Sequence, residues 1–176
     1  MKSWQKQVAG KSFGENDVLK FIVDGMLGKL TRWLRMLGHN VKYSSKLDDA
    51  LLITIAKKEQ RVLLTHDLEL YQQAVAKGVD AFYVEGKTEA ERLAQVAHRF
   101  HIGLEIDMTT SRCPKCNARV KPISKDKIAE KVEKSTFANY NEFWECPKCG
   151  QVYWQGAHWM RIRKTLDEAK ENSEKK

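Results

Sequence analysis

Between residues 19 and 100 one pattern recurs: a short apolar run, then a segment with apolar residues at helical spacing. The runs are "LKFIV" (19–23), "NVKYS" (40–44), "RVLLT" (61–65) and "AFYV" (81–84). The first and third are apolar almost throughout, as strands buried on both faces are. The segments between them read as helices. Leu27, Leu30, Leu34 and Leu37 recur along one face before Gly38. Residues 48–60 carry Leu51, Leu52, Ile55 and Ala56, and residues 68–77 end at Gly78. A capping box, Thr88 and Glu91, precedes Leu93, Val96, Ala97 and Phe100. This alternation predicts an α/β fold with a parallel sheet of about four strands and helices on both faces.

From about residue 109 the texture changes. All four cysteines lie here, in "CPKCN" (113–117) and "CPKCG" (146–150). Each C-x2-C turn can aim two thiolates at one ion, and two turns complete a tetrahedral four-sulfur shell for Zn2+. A closed shell of Cys113, Cys116, Cys146 and Cys149 has a structural role and leaves no open catalytic position. "ARVKPIS", "EFWEC" and "QVYWQG" read as short strands around it. The long spacer between the turns includes "KDKIAEKVEK" (125–134), a polar helix or insertion. The organisation expected is a polar segment over 1–18, the α/β domain over 19–108, a zinc-ribbon β module over 109–163 and a charged tail over 164–176.

The N-terminal residues lack the apolar stretch of a signal peptide, and no apolar run approaches the ~20 residues of a membrane span. A cytoplasmic protein with no membrane partner is the expectation. The formal net charge of +8 is concentrated. Residues 109–163 hold 11 Lys and Arg against 5 Asp and Glu, or +6 of that total. Basicity gathered in one small module points to a phosphate backbone. Arg112, Lys148 and Arg161 are candidate phosphate contacts. His158 and Trp159, in "QGAHWMRIR", are candidates for an exposed contact with unpaired bases.

In a parallel sheet the carboxyl ends of the strands share one crevice. Asp24 ends the first run, Asp48 and Asp49 follow the second, and Asp67 ends the third with Glu69 just beyond. Each aspartate alone has a plain use as a helix N-cap. Three strand ends with acids are another matter: clustered carboxylates repel unless a cation sits among them, and Mg2+ or Mn2+ prefers oxygen ligands. Such ions activate water and stabilise the leaving oxygen of a phosphodiester. Lys29, Arg32 and Arg35, on the helix beside Asp24, are candidates to hold the incoming phosphates.

"FIVDGMLGKLTRWLRMLG", "LDDALLITIAKKEQRVLLTHD", "RCPKCN", "FWECPKCG" and "VYWQGAHW" together resemble the Mut-seven C-terminal ribonuclease domain family over roughly residues 20–160. The resemblance implies a reduced PIN-like nuclease domain followed by a zinc ribbon. It also implies a metal-dependent ribonuclease using Asp24, Asp49 and Asp67, with Asp48 and Glu69 beside them, to bind Mg2+ or Mn2+. His66 stands where relatives more often have Arg, and a His there meets a phosphate only with a pH-dependent charge. Glu69 stands where Asp would be expected. The expected activity is endonucleolytic, on single-stranded or structured RNA, with the basic ribbon as the grip. The alternative is a non-catalytic RNA- or ribosome-binding module, part of a ribonucleoprotein, with a degenerate PIN-like domain. A phosphoacceptor receiver domain also places acids at strand ends. It would pair them after the first strand and need a fifth strand, and neither feature is present.

Overall fold

A computed structural model describes residues 18–174. The polar segment expected over 1–18 lies, apart from Val18, outside the described residues. Four parallel strands, β1 (Lys20–Val23), β2 (Asn40–Tyr43), β3 (Val62–Thr65) and β4 (Ala81–Tyr83), form one sheet in the order β2-β1-β3-β4. They alternate with helices α1 (Gly28–Met36), α2 (Asp49–Glu59), α3 (Leu68–Ala76) and α4 (Glu89–Phe100). The chain leaves β1 to form β2 on one side, then returns across β1 to form β3 on the other. The carboxyl ends of β1 and β3 therefore flank the point where strand order reverses, the usual crevice of open α/β sheets.

Side chains alternate strictly between the two faces of the central strands. Phe21, Val23 and Leu64 join Leu30 and Leu34 of α1 and Leu93 and Val96 of α4 in one core. Ile22 and Leu63 point the other way, onto Leu52 and Ile53 of α2 and Leu70 and Ala74 of α3. Burial on both faces explains why these strands read as continuous apolar runs. The capping box of α4 forms with a shift. The Glu91 amide donates to Thr88 Oγ1, but the Glu91 carboxylate accepts from the Lys87 amide rather than from Thr88.

The second sheet is antiparallel: β5 (Lys121–Ile123), β6 (Phe143–Glu145) and β7 (Val152–Tyr153), in that order. The spacer differs from the polar helix expected over 125–134. A single 3-10 turn covers Lys125–Ile128 and a short helix, α5, covers Lys134–Asn139. Ile128 is fully buried against Phe143 and Val152, so this apolar residue anchors the spacer to the sheet. The boundary expected at 163/164 falls inside one continuous helix, α6 (Ala157–Glu174). Ile162, Leu166 and Ala169 form a narrow apolar stripe that packs α6 onto the α1–α4 face of the first sheet. The charged tail thus returns to the α/β core. No helix among the described residues is long and apolar enough to cross a membrane.

Candidate functional site

The two cysteine turns are built alike. The Cys113 carbonyl accepts from the Asn117 amide and the Cys146 carbonyl from the Gly150 amide, both at 2.9 Å. Asn117 and Gly150 each adopt φ 69°, the left-handed region that Gly and Asn tolerate best. The four sulfurs lie within 4.8 Å of one another, with Cys113–Cys149 at 3.6 Å and Cys116–Cys146 at 3.3 Å. Sulfurs about 2.3 Å from a tetrahedral centre would be about 3.8 Å apart, so the quartet fits Zn2+. One of the thiols, Cys113, is electrically prepared to ionise. Burial raises the Cys113 pKa, but the Tyr153 hydroxyl, 3.0 Å away, and the Cys116 and Lys115 amides outweigh it and bring it to about 7. Burial pushes Cys116 up instead, and its hydrogen bonding with Cys146, Cys113 and Cys149 adds to the rise.

The first cysteine turn docks on the free edge of β2. The Arg35 guanidinium donates to Val41 O at 2.9 Å and to Pro114 O at 2.8 Å, and the Asn117 side chain accepts from the Val41 amide at 3.0 Å. Arg112 completes the seam, donating to Gly38 O and Asn117 O. Arg35 and Arg112, both expected to meet RNA, are therefore docking residues. Carbonyls buried at the end of α1 and on an edge strand need donors, and these guanidinium groups supply them.

The acids lie along the carboxyl edge of the parallel sheet. Asp24 is 5% exposed. Its Oδ1 accepts from the Met26 amide at 2.5 Å, and its Oδ2 from Thr65 Oγ1 at 2.5 Å and the His66 amide at 3.2 Å. Thr65 Oγ1 in turn accepts from the Asp67 amide at 2.9 Å. Thr65 thus ties the ends of β1 and β3 together. Sequence reading missed it, although a hydroxyl two residues before the acid in "LLTHD" is a turn signal. Asp48 caps α2 through the Leu51 amide, and Asp67 caps α3 through the Glu69 and Leu70 amides. Asp49 is exposed and caps nothing. Its pKa is raised by partial desolvation and then by the charges of Asp67, Asp24, Glu69 and Asp48. The five acids share one field. Among the described residues, only the cysteine quartet converges within metal-ligating reach; the acids do not close in that way.

The sequence model of one family, the Mut7-C RNAse domain, matches residues 19–166. The chain belongs to that family. No curated protein and no solved structure matches the chain. Membership points to a nuclease-like function with RNA as the substrate. In this Mut7-C RNAse domain the match spans both the acidic rim and the cysteine turns.

The remaining site residues divide by surroundings. Lys29 and Arg32 stay on the exposed face of α1, with Lys29 3.8 Å from Glu89. The His66 ring stacks on Tyr83, and its Nδ1 lies 2.6 Å from Val84 O, so that nitrogen carries the proton and donates. Lys148 is exposed on the second cysteine turn, and exposed His158 accepts from Arg161 Nη2 at 3.3 Å. Trp159 departs from the exposed contact expected of it. It lines an apolar crevice with Met36, Met108 and Trp154, and its indole nitrogen is buried. The start of α6 turns this ring inward, beneath the ribbon.

Proposed function

We propose that this chain is a metal-dependent ribonuclease. Asp24, Asp49 and Asp67, with Asp48 and Glu69 flanking them, bind Mg2+ or Mn2+ and direct hydrolysis of an RNA phosphodiester within the strand. The carrying observation is Asp49: an exposed carboxyl, unused by the fold, whose proton affinity is raised in part by four neighbouring acids. A loose rim suits Mg2+, which keeps several waters and takes only one or two carboxylates directly. The chain's own part is positional. Asp24 accepts three hydrogen bonds, which leaves about one of its acceptor sites for an ion. Asp67 spends Oδ1 on the start of α3, and its other oxygen has no protein partner among the described residues. His66, held by Val84 and Tyr83, stands beside both acids. When bound, the divalent ion supplies an activated water and charge stabilisation for the leaving oxygen. The zinc is structural, and its thiolates suit a reducing compartment such as the cytoplasm.

The non-catalytic reading draws on one fact: Asp24, Asp48 and Asp67 are all N-caps, and the fold would keep them without any chemistry. Asp49 separates the two. Pure protein incubated with structured and unstructured RNAs should produce internal fragments with Mn2+ or Mg2+ and none without. Asp49→Asn should lose more than the roughly 10–100-fold typical of a group that only supports a ligand. Full cleavage by that variant would remove the mechanism.

A further inference from the structure

A groove of about 850 Å³ joins the two modules. One end lies at Gly25 and Met26, directly after Asp24, and the other at Pro114 and Lys115 in the first cysteine turn. The α1 helix forms the wall between. Five cations line the groove, Lys29, Arg32, Arg35, Arg92 and Lys115, against a single acid, Glu89. Arg35 is committed to the docking seam and adds only its field. Lys29 and Arg32 are exposed, three positions apart on one face of α1, and so about 4.5 Å apart along its axis. The Lys29–Glu89 pair is long and its lysine well exposed, so little holds that ammonium back. Lys115, at the cysteine-turn end, is exposed and touches Gln151. Rings flank both ends: Tyr43 near the rim, where Gly28 leaves room for its hydroxyl, and Tyr153 near the cysteines. A positive groove with aromatic faces is how proteins track an unpaired nucleic-acid strand.

We propose that this groove is the path of a single RNA strand, guiding its backbone between the cysteine turn and the acidic rim. Phosphates lie against Lys29, Arg32 and Lys115. The choice of RNA rests on the nuclease reading, but the path does not require cleavage. The ribbon then grips RNA through Lys115, not through the inward-turned Trp159.

The test is fluorescence anisotropy with a labelled single-stranded RNA of about 12 nucleotides, a few groove-lengths of chain, with no added divalent ion and zinc in place. Lys29→Glu with Arg32→Glu should weaken binding at least tenfold and flatten the salt dependence by about one unit of slope. Lys115→Glu alone should weaken binding in the same direction. Lys57→Glu with Lys58→Glu makes the same charge change on α2, across the sheet, and should leave binding within about twofold, as screened distant charges do. All substitutions are at exposed positions, and unchanged melting curves check the fold. No strand binding by the parent protein, preference for a duplex, or equal losses from the α2 pair would overturn the path. Groove-dependent binding by a protein that cuts nothing with Mn2+ would sink the nuclease reading alone. Cleavage with undiminished binding in the groove variants would sink the path alone.

Discussion

His39 shows how one buried side chain sets the acid limit of the fold. It is 8% exposed, packs edge-on against Phe21, and its Nδ1 accepts from the Leu19 amide at 3.3 Å. Burial, aided by the nearby charge of Arg112, lowers its pKa to about 4. An unfolded imidazole takes its proton near pH 6.5, so between about 6.5 and 4 the unfolded chain binds more protons. Stability should fall through that window by about 3 kcal/mol, and His39→Gln should flatten the fall in urea titrations. Arg35 acts on a second axis. Arg35→Met keeps most of the volume but strips donors from the Val41 and Pro114 carbonyls. Unfolding in urea should show a loss of about 3 kcal/mol, the cost of leaving buried acceptors unpaired. Such roles are hard to read from sequence. "LTRWLRM" shows two arginines three apart on one helix, and nothing local says that Arg32 faces water while Arg35 meets a turn 79 residues away.

At the level of elements, the alternation of runs and helical segments was legible because the central strands β1 and β3 are buried on both faces and each helix keeps an apolar side; in α2 that side is Leu52, Ile53 and Ala56, while Leu51 faces water. The two C-x2-C turns were legible because identical chemistry forces identical geometry. Their last residues, Asn117 and Gly150, adopt the same left-handed turn, yet only Asn117 carries a side chain that reaches β2. The spacer and α6 were less legible. Ile128, one apolar residue in a charged stretch, and the stripe of Ile162, Leu166 and Ala169 gain meaning only from distant partners. The docking of turn on strand also yields an observable. The Val41 amide donates to Asn117 Oδ1, so its hydrogen exchange reports on the first cysteine turn. Removing zinc should cost that amide an order of magnitude or more of protection while Leu64, in the sheet interior, stays protected. Equal protection with and without zinc would uncouple metal from docking.

For the whole molecule, the topology carries the functional reading. Crossing from β2 back over β1 to β3 brings Asp24 and Asp67 to one crevice, and α2 starts close enough to add Asp49. The order of acids along the sequence suggested that meeting. Their capping bonds, and the way Thr65 links two of them, could come only from the fold. The central claim is that this rim shares a divalent ion. Binding of Mn2+, followed by electron paramagnetic resonance on the zinc-loaded protein, tests it most directly. Saturable Mn2+ binding is expected, weakening as pH falls through the raised pKa of Asp49 and lost in both Asp49→Asn and Asp67→Asn. Mn2+ binding that survives both substitutions unchanged would contradict it.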